Sequence, residues 1–266
     1  MARSSRFEGR ATCPSRVETE YPLCVTDRVH DYEREWERCR LPDDLPFEGW
    51  IAHIFDHPIL NPQWWWQEPE SGHFQSWDGI ADSARTLAYI TRLFREPRGL
   101  ICRFTRQQID QGFNYIVSSG CSDYMFVLTD TALPWPDRRA CFDAMITLYT
   151  ELFAPVYQND LGHASAPEPS DRPTFACYMW WDVIPLYGSM KHADVDRIND
   201  AVLNVFEQVL KLKAESCLES VLHGLGHWHN DFPERTESII REFLNRTDIT
   251  PELRVYAHHA AEGAVQ

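Results

Sequence analysis

The sequence has no long apolar run and none of the short motifs that mark common enzyme chemistry. A glycine-rich phosphate loop, a dinucleotide fingerprint, a G-x-S-x-G elbow and an H-E-x-x-H zinc motif are all missing. Because no apolar stretch approaches the roughly 20 residues that cross a bilayer, no membrane span is predicted. The missing motifs leave the sequence with no predicted catalytic residue and no predicted cofactor.

Cysteine spacing gives no sign of a zinc ribbon or knuckle. The chain has 8 cysteines, but none of them form C-x-x-C. They are scattered through helical patterns, as small buried apolar residues would be. The first residues contain arginine and serine but no apolar core of a secretory signal. We therefore expect a soluble, cytoplasmic protein without structural disulfides.

Basic side chains are scarce. The chain has 25 Lys and Arg against 40 Asp and Glu, which gives a net charge of −15. An acidic surface is unsuited to nucleic acid backbones and to anionic membranes, so neither is a predicted partner. A basic protein would match this charge. Hydrophobic residues make up 44% and aromatic residues 13% of the chain, which is typical of a folded globular protein.

The hydrophobic pattern of the N-terminal half of the chain predicts helices of irregular length and spacing. Asp78 is the expected N-cap of one helix, and Thr105 and Gln108 have the spacing of a capping box at the start of the next. The segment LGHASAPEPSDRP resembles a linker. The predicted divisions are a flexible tail at 1–20, an irregular helical region at 21–157, a linker at 158–172 and a regular helical part at 173–266.

The stretch AESCLESVLHGLGHWHN, residues 214–230, predicts an amphipathic helix. Its apolar stripe repeats at three- and four-residue spacing and consists of Leu218, Val221, Leu222 and Leu225. Polar side chains have the same period on the opposite side, among them Glu219, Ser220, His223, His227 and Asn230. Pro233 follows closely, so we expect the helix to end near His229 or Asn230.

The apolar stripe has counterparts before and after it. Trp180, Val183, Ile184 and Tyr187 precede it by 38 residues, and Leu253, Tyr256, Ala257 and Ala260 follow by 35. Alternating helices with such a period are typical of stacked helical repeats. VLHGLGHWHNDFPERTESIIREFL and LRVYAHHAAEG resemble HEAT-type (armadillo-like) repeats over roughly residues 173–266. The resemblance implies an all-α fold, a superhelical C-terminal part and a scaffold for protein contacts.

The first functional hypothesis is a non-enzymatic protein that binds a protein partner, as an adaptor or an immunity-type inhibitor. The groove along the second helices of the repeats would be the binding surface. Its predicted residues are Glu219, Ser220, His223, His227 and Asn230, with Asp182 as an acidic neighbour one repeat earlier.

The alternative is a metal-dependent hydrolase or lyase. His223 and His227 are four residues apart, as are His53 and His57, and this spacing lets two imidazoles on a helix reach one ion. A simpler interpretation is available for both pairs, because histidine near a helix C-terminus interacts favourably with the helix dipole. This simpler interpretation, a capping or surface role, is favoured over a metal site for both pairs.

Tryptophans form a second unusual cluster. Trp64, Trp65 and Trp66 are consecutive, and Trp77, Trp180 and Trp181 lie elsewhere in the chain. They could form a stacking platform for a flat ligand, but we expect most of them to pack a long ordered loop onto the helices.

Overall fold

A computed structural model describes residues 34–162 and 175–265, and it confirms the predicted all-α class. The α-helices in chain order are α1 (Phe47–Phe55), α2 (Ser83–Arg95), α3 (Pro97–Ile101), α4 (Arg106–Val117), α5 (Trp135–Leu148), α6 (Ala154–Tyr157), α7 (Phe175–Tyr178), α8 (Trp180–Val183), α9 (Val195–Val209), α10 (Glu215–His229), α11 (Pro233–Leu244) and α12 (Pro251–Ala261). Turns of 3-10 helix cover Trp64–Trp66, Pro69–Ser71, Asp78–Ala81 and Tyr124–Leu128, and a π-helical turn covers Tyr149–Phe153.

Extended structure is almost absent from these residues. Their one β-bridge is isolated and joins Arg40 to Ser76. No helix in the described ranges is both long enough and apolar enough to cross a membrane. The predicted tail at 1–20 and most of the predicted linker lie outside the described residues.

Of two helix starts predicted from the sequence, one is confirmed and the other is displaced. Thr105 caps α4 in the predicted box: its hydroxyl accepts from the Gln108 N–H, and the Gln108 amide oxygen accepts from the Thr105 N–H. The prediction for α2 is wrong by one turn. Asp78 starts a short 3-10 turn, and Asp82 caps the helix by accepting from the Arg85 N–H at 3.0 Å. Both aspartates precede a turn, so the capping preference alone does not distinguish them.

The tryptophans of the loop between α1 and α2 mostly pack inward, as expected. Trp64 is 0% exposed and Trp65 is 8% exposed, whereas Trp66 points outward. Trp77, Trp180 and Trp181 are also buried. A stacking platform built from consecutive tryptophans is therefore not formed.

Helix α10 lies at the centre of the C-terminal part. Helices α7, α8, α9, α11 and α12 all pack against it. Its predicted apolar stripe is buried completely or almost so, and each such side chain stabilises the fold by about 1.5–3 kcal/mol. The helix ends at His229 as predicted, although Asn230 is right-handed (φ −60°) and does not form a left-handed cap.

Close packing on α10 explains why a helix interior contains glycine. A Cβ on Gly224 would lie 2.7 Å from Cζ of Phe206 and 2.9 Å from Cγ of Trp181. A Cβ on Gly226 would lie 2.4 Å from Cγ2 of Val265. Glycine lowers helix stability by about 1 kcal/mol relative to alanine. Here it lets α8 and α9 approach the helix backbone.

The three stripes predicted to be equivalent lie on helices of unequal length. They fall on α8, α10 and α12, which have 4, 15 and 11 residues. Helix α8 ends at Val183 because Ile184 is extended (ψ 139°) ahead of Pro185. Tyr187, a predicted stripe residue, is exposed. The HEAT-type arrangement remains a prediction.

Helices on both sides of the predicted linker share one hydrophobic core. The buried cluster extends from Leu45 to Ala260 without a break in its packing. Helix α5 packs against α9, and α4 packs against α7. The site described next therefore lies on helices that both parts of the chain hold in place.

Replacing Gly224 with alanine tests the close packing on α10. We expect Gly224→Ala to lower the free energy of unfolding by about 1–3 kcal/mol, because Phe206 or Trp181 must move. Gly99→Ala is the matched control. A Cβ on Gly99 meets nothing within 4 Å in the short helix α3, so that variant should be neutral or slightly stabilised. Urea unfolding measures both, and equal stability of the two variants would contradict the packing argument.

Candidate metal centre

Three side chains with metal-ligating atoms converge beside the last turns of α10. Asp182 comes from α8, and His223 and His227 come from successive turns of α10. One ligand atom from each residue lies within 4.8 Å of the other two. The helices bring the carboxylate oxygen of Asp182 close to the imidazole nitrogens of His223 and His227, which are 41 and 45 residues later in the sequence.

The separations match those of atoms that share an ion. His227 Nε2 lies 3.0 Å from His223 Nε2 and 3.3 Å from Asp182 Oδ1. Ligands at about 2.1 Å from one ion, in tetrahedral or octahedral geometry, lie roughly 3.0–3.4 Å apart. Two of the three separations therefore fit a shared ion, and the third, between Asp182 and His223, is within 4.8 Å.

His223 is the fixed member of the group. It is 1% exposed, and its Nδ1 lies 2.7 Å from the Tyr256 hydroxyl. The Tyr256 ring is nearly parallel to the imidazole, at 4°, and the Tyr178 ring packs on it with centroids 4.9 Å apart. When Nε2 binds a metal, Nδ1 carries the proton and donates it to Tyr256. Such a bond sets the tautomer and the ring orientation.

Burial also keeps the Tyr256 hydroxyl protonated. It raises the pKa of Tyr256 above its usual value, and a hydrogen bond to Tyr178 raises it further. The two hydroxyl oxygens are 3.5 Å apart. A protonated hydroxyl can accept from His223 and still donate to another group.

Asp182 and His227 form the accessible side of the group. Their side chains are 39% and 37% exposed. An ion bound by these two exposed side chains would keep one coordination position open to solvent, where water or another ligand could exchange. Three protein ligands and one open position are typical of catalytic rather than structural zinc sites.

The predicted exposed polar strip is wrong for Glu219, Ser220 and His223. All three are buried. Glu219 accepts a hydrogen bond from the Gly162 N–H, and Ser220 donates one to the carbonyl oxygen of Cys177. Buried polar groups need partners, and these bonds attach α10 to neighbouring segments. The strip fails because helices cover both sides of α10, which a single periodic pattern does not show.

His227 and Asn230 are the exposed members of the predicted strip. Together with Asp182 they lie where a partner could contact them. Their role in binding a partner remains a prediction.

The second histidine pair is structural and lies elsewhere. His57 donates from Nε2 to the carbonyl oxygen of His53 at 2.7 Å, which satisfies a carbonyl in the last turn of α1. Its ring stacks on Trp64 with centroids 3.9 Å apart. Neither histidine belongs to the metal-ligating group found among the described residues. The capping interpretation holds for His57, and a four-histidine site is not formed.

Sequence reasoning missed Tyr256 as a functional residue. Its position was assigned to an apolar stripe of Leu253, Ala257 and Ala260. The only available signal was a hydroxyl-bearing ring among small apolar residues on a buried helix face.

No protein-family model matches the chain, and no curated protein or solved structure matches it. The fold and the site therefore define its class by themselves. The chain is an all-α protein with two histidines and one aspartate converging at its central helix.

Removing the Tyr256 hydroxyl tests its role in orienting His223. We expect Tyr256→Phe to weaken binding of Zn²⁺ or Co²⁺ by about 10- to 100-fold, since losing such a partner frees the imidazole tautomer. Competition with a chelating dye measures the affinity. Tyr187→Phe is the matched control, because Tyr187 is exposed and outside the group. Equal affinities of both variants and the wild type would show that Tyr256 only fills space.

The environment of His53 predicts a dependence of stability on pH. Burial lowers the pKa of His53 to about 4, from the 6.5 of an imidazole in water. Between these values the unfolded chain binds a proton that the folded chain does not, so the unfolded state gains stability as pH falls. His53 therefore contributes stability that is complete above pH 6.5 and lost towards pH 4, about 3 kcal/mol in all.

Urea unfolding at pH 7.5 and 4.5, with a chelator present, measures this loss. The wild type should lose about 2–3 kcal/mol more than His53→Gln over this range, because the loss is not yet complete at pH 4.5. His73→Gln, at an exposed position, should behave like the wild type. Parallel pH profiles of the wild type and His53→Gln would contradict the assignment.

Proposed function

We propose that the chain is a metal-dependent hydrolase or lyase whose ion is bound by Asp182, His223 and His227. The observation that supports this proposal is the convergence of their three ligand atoms within 4.8 Å. Two imidazoles and one carboxylate are a donor set that suits zinc and ferrous iron. The hydrogen bond from His223 to Tyr256 supplies the outer partner that such histidines usually have.

The exposed side of the group supports a catalytic rather than a structural ion. Asp182 and His227 leave an open direction for water and substrate. A divalent ion in such a place polarises a carbonyl or phosphoryl oxygen and lowers the pKa of bound water to about 7. Hydrolysis then requires only water as co-reactant. Elimination requires no co-reactant, because a proton leaves one carbon, a leaving group departs from the next with its bonding electrons, and a double bond forms between them.

Binding of a protein partner remains the second candidate. The net charge of −15 favours a basic partner, but three of the six residues predicted for the interface are buried. The hypothesis now depends on Asp182, His227 and Asn230. A metal site and a partner surface would compete for the first two of these.

Metal analysis of the purified full-length chain tests the proposal. We expect about one zinc or iron ion per wild-type chain, and strong loss of metal in His223→Ala and in Asp182→Asn. The second variant changes an exposed residue, so its fold should be retained while a ligand is lost. His258→Ala, at an exposed position outside the group, should keep the wild-type metal content.

Circular dichroism of each variant separates loss of a ligand from loss of the fold. Wild-type protein that takes up no stoichiometric ion from Zn²⁺ or Fe²⁺ would refute the proposal. So would a folded Asp182→Asn variant that binds the ion as tightly as the wild type.

A further inference from the structure

Asp182 belongs to the metal-ligating group and also lines a cavity. The cavity has a volume of about 780 Å³ and lies between the α8–α9 connection and the chain that follows α4. Small-molecule sites usually enclose about 300–1,000 Å³. Asp182 is the one member of the metal-ligating group that lines this cavity, so the cavity adjoins the proposed centre through that residue.

The cavity has exposed aromatic walls. Phe126 is 45% exposed and Tyr187 is 59% exposed, and both line it together with Met190. Large apolar side chains that face water together mark a binding surface more often than isolated ones do. These walls suit a ligand with an aromatic or branched apolar body.

The charge on the cavity wall depends on the metal. Lys191, one of three lysines in the chain, lines the cavity and is balanced there by Asp182. His192 is already engaged: its Nε2 donates to the Thr129 carbonyl oxygen at 2.6 Å, and its Nδ1 accepts from the Asp194 N–H at 3.0 Å. A divalent ion at Asp182 would therefore make the cavity positive on a protein whose net charge is −15.

We propose that this cavity binds the substrate of the metal centre, and that the substrate is a small organic anion with an apolar body. Its carboxylate or other oxyanion contacts the ion at Asp182 and is stabilised by Lys191, while Phe126 and Tyr187 contact its body. This assignment rests on the proposed metal function and adds the class of substrate.

A second cavity provides a contrast. It encloses about 400 Å³ between α9 and α11, and it combines Lys211, Lys213 and Arg246 with as many acidic residues, Glu207, Glu242 and Asp248. Arg246 is already bonded to Asp248 and to the carbonyl oxygens of Leu210 and Leu212. This cavity has balanced charge and contains no member of the metal-ligating group. Its Lys213 is therefore a matched control position.

The test is calorimetric titration of the zinc-loaded full-length chain with phenylacetate, acetate and 2-phenylethanol. Phenylacetate should bind most tightly, because acetate lacks the apolar body and 2-phenylethanol lacks the charge. Lys191→Ala should weaken phenylacetate binding about fivefold or more, Lys191→Arg should restore it, and Lys213→Ala should leave it unchanged. Removing the ion with a chelator should weaken phenylacetate in the wild type and reduce its advantage over 2-phenylethanol.

Two results would overturn the inference while leaving the metal proposal intact. One is a chain that takes up one ion but shows no saturable binding of phenylacetate. The other is equal phenylacetate affinity in the wild type and Lys191→Ala. A chain that takes up no ion refutes the proposed function, and with it the claim that this cavity serves a metal centre.

Discussion

The burial of α10 on nearly every side is the constraint on which the rest of the structure depends. A helix in this position must satisfy each polar group it takes out of water. Glu219 and Ser220 do so through the backbone of neighbouring segments, and His223 does so through Tyr256. The polar residues that distinguish this helix therefore hold the surrounding chain together. Of its side chains, only Glu215 at the start and His227 and His229 in the last turn reach solvent.

This arrangement produces a site with one rigid side and one adaptable side. His223 is held between two tyrosine rings, whereas Asp182 and His227 are more than a third exposed. In the proposed metal centre, preorganisation of one ligand would lower the entropic cost of binding an ion, and the exposed ligands would let water or substrate approach. Asp182, one of the two exposed ligands, also lines the cavity described above.

Local features of the fold could be read from the sequence. The all-α class, the capping box of Thr105, the end of α10 and the burial of Trp64 and Trp65 follow from periodicity, capping chemistry and the hydrophobic effect. Features that depend on packing between distant segments could not be predicted in this way. Periodicity identifies one apolar face, and it gives no warning that a polar face is also covered, as at Glu219 and Ser220. The sequence predicts Asp182 as an acidic neighbour of the histidines, one repeat earlier. Its convergence with them depends on how a four-residue helix docks on α10, which no local pattern encodes.

Gly224 has a consequence for the ligands as well as for stability. It lies one residue after His223, and the side chain that comes nearest to it on α8 belongs to Trp181, the residue before Asp182. The missing Cβ therefore sets the spacing between the two elements that carry the ligands. A methyl group at this position would require Phe206 or Trp181 to move, and a shift of Trp181 would also change the position of the adjacent Asp182 relative to α10. The proposed metal centre is therefore coupled to the packing of α8 on α10 through a single glycine.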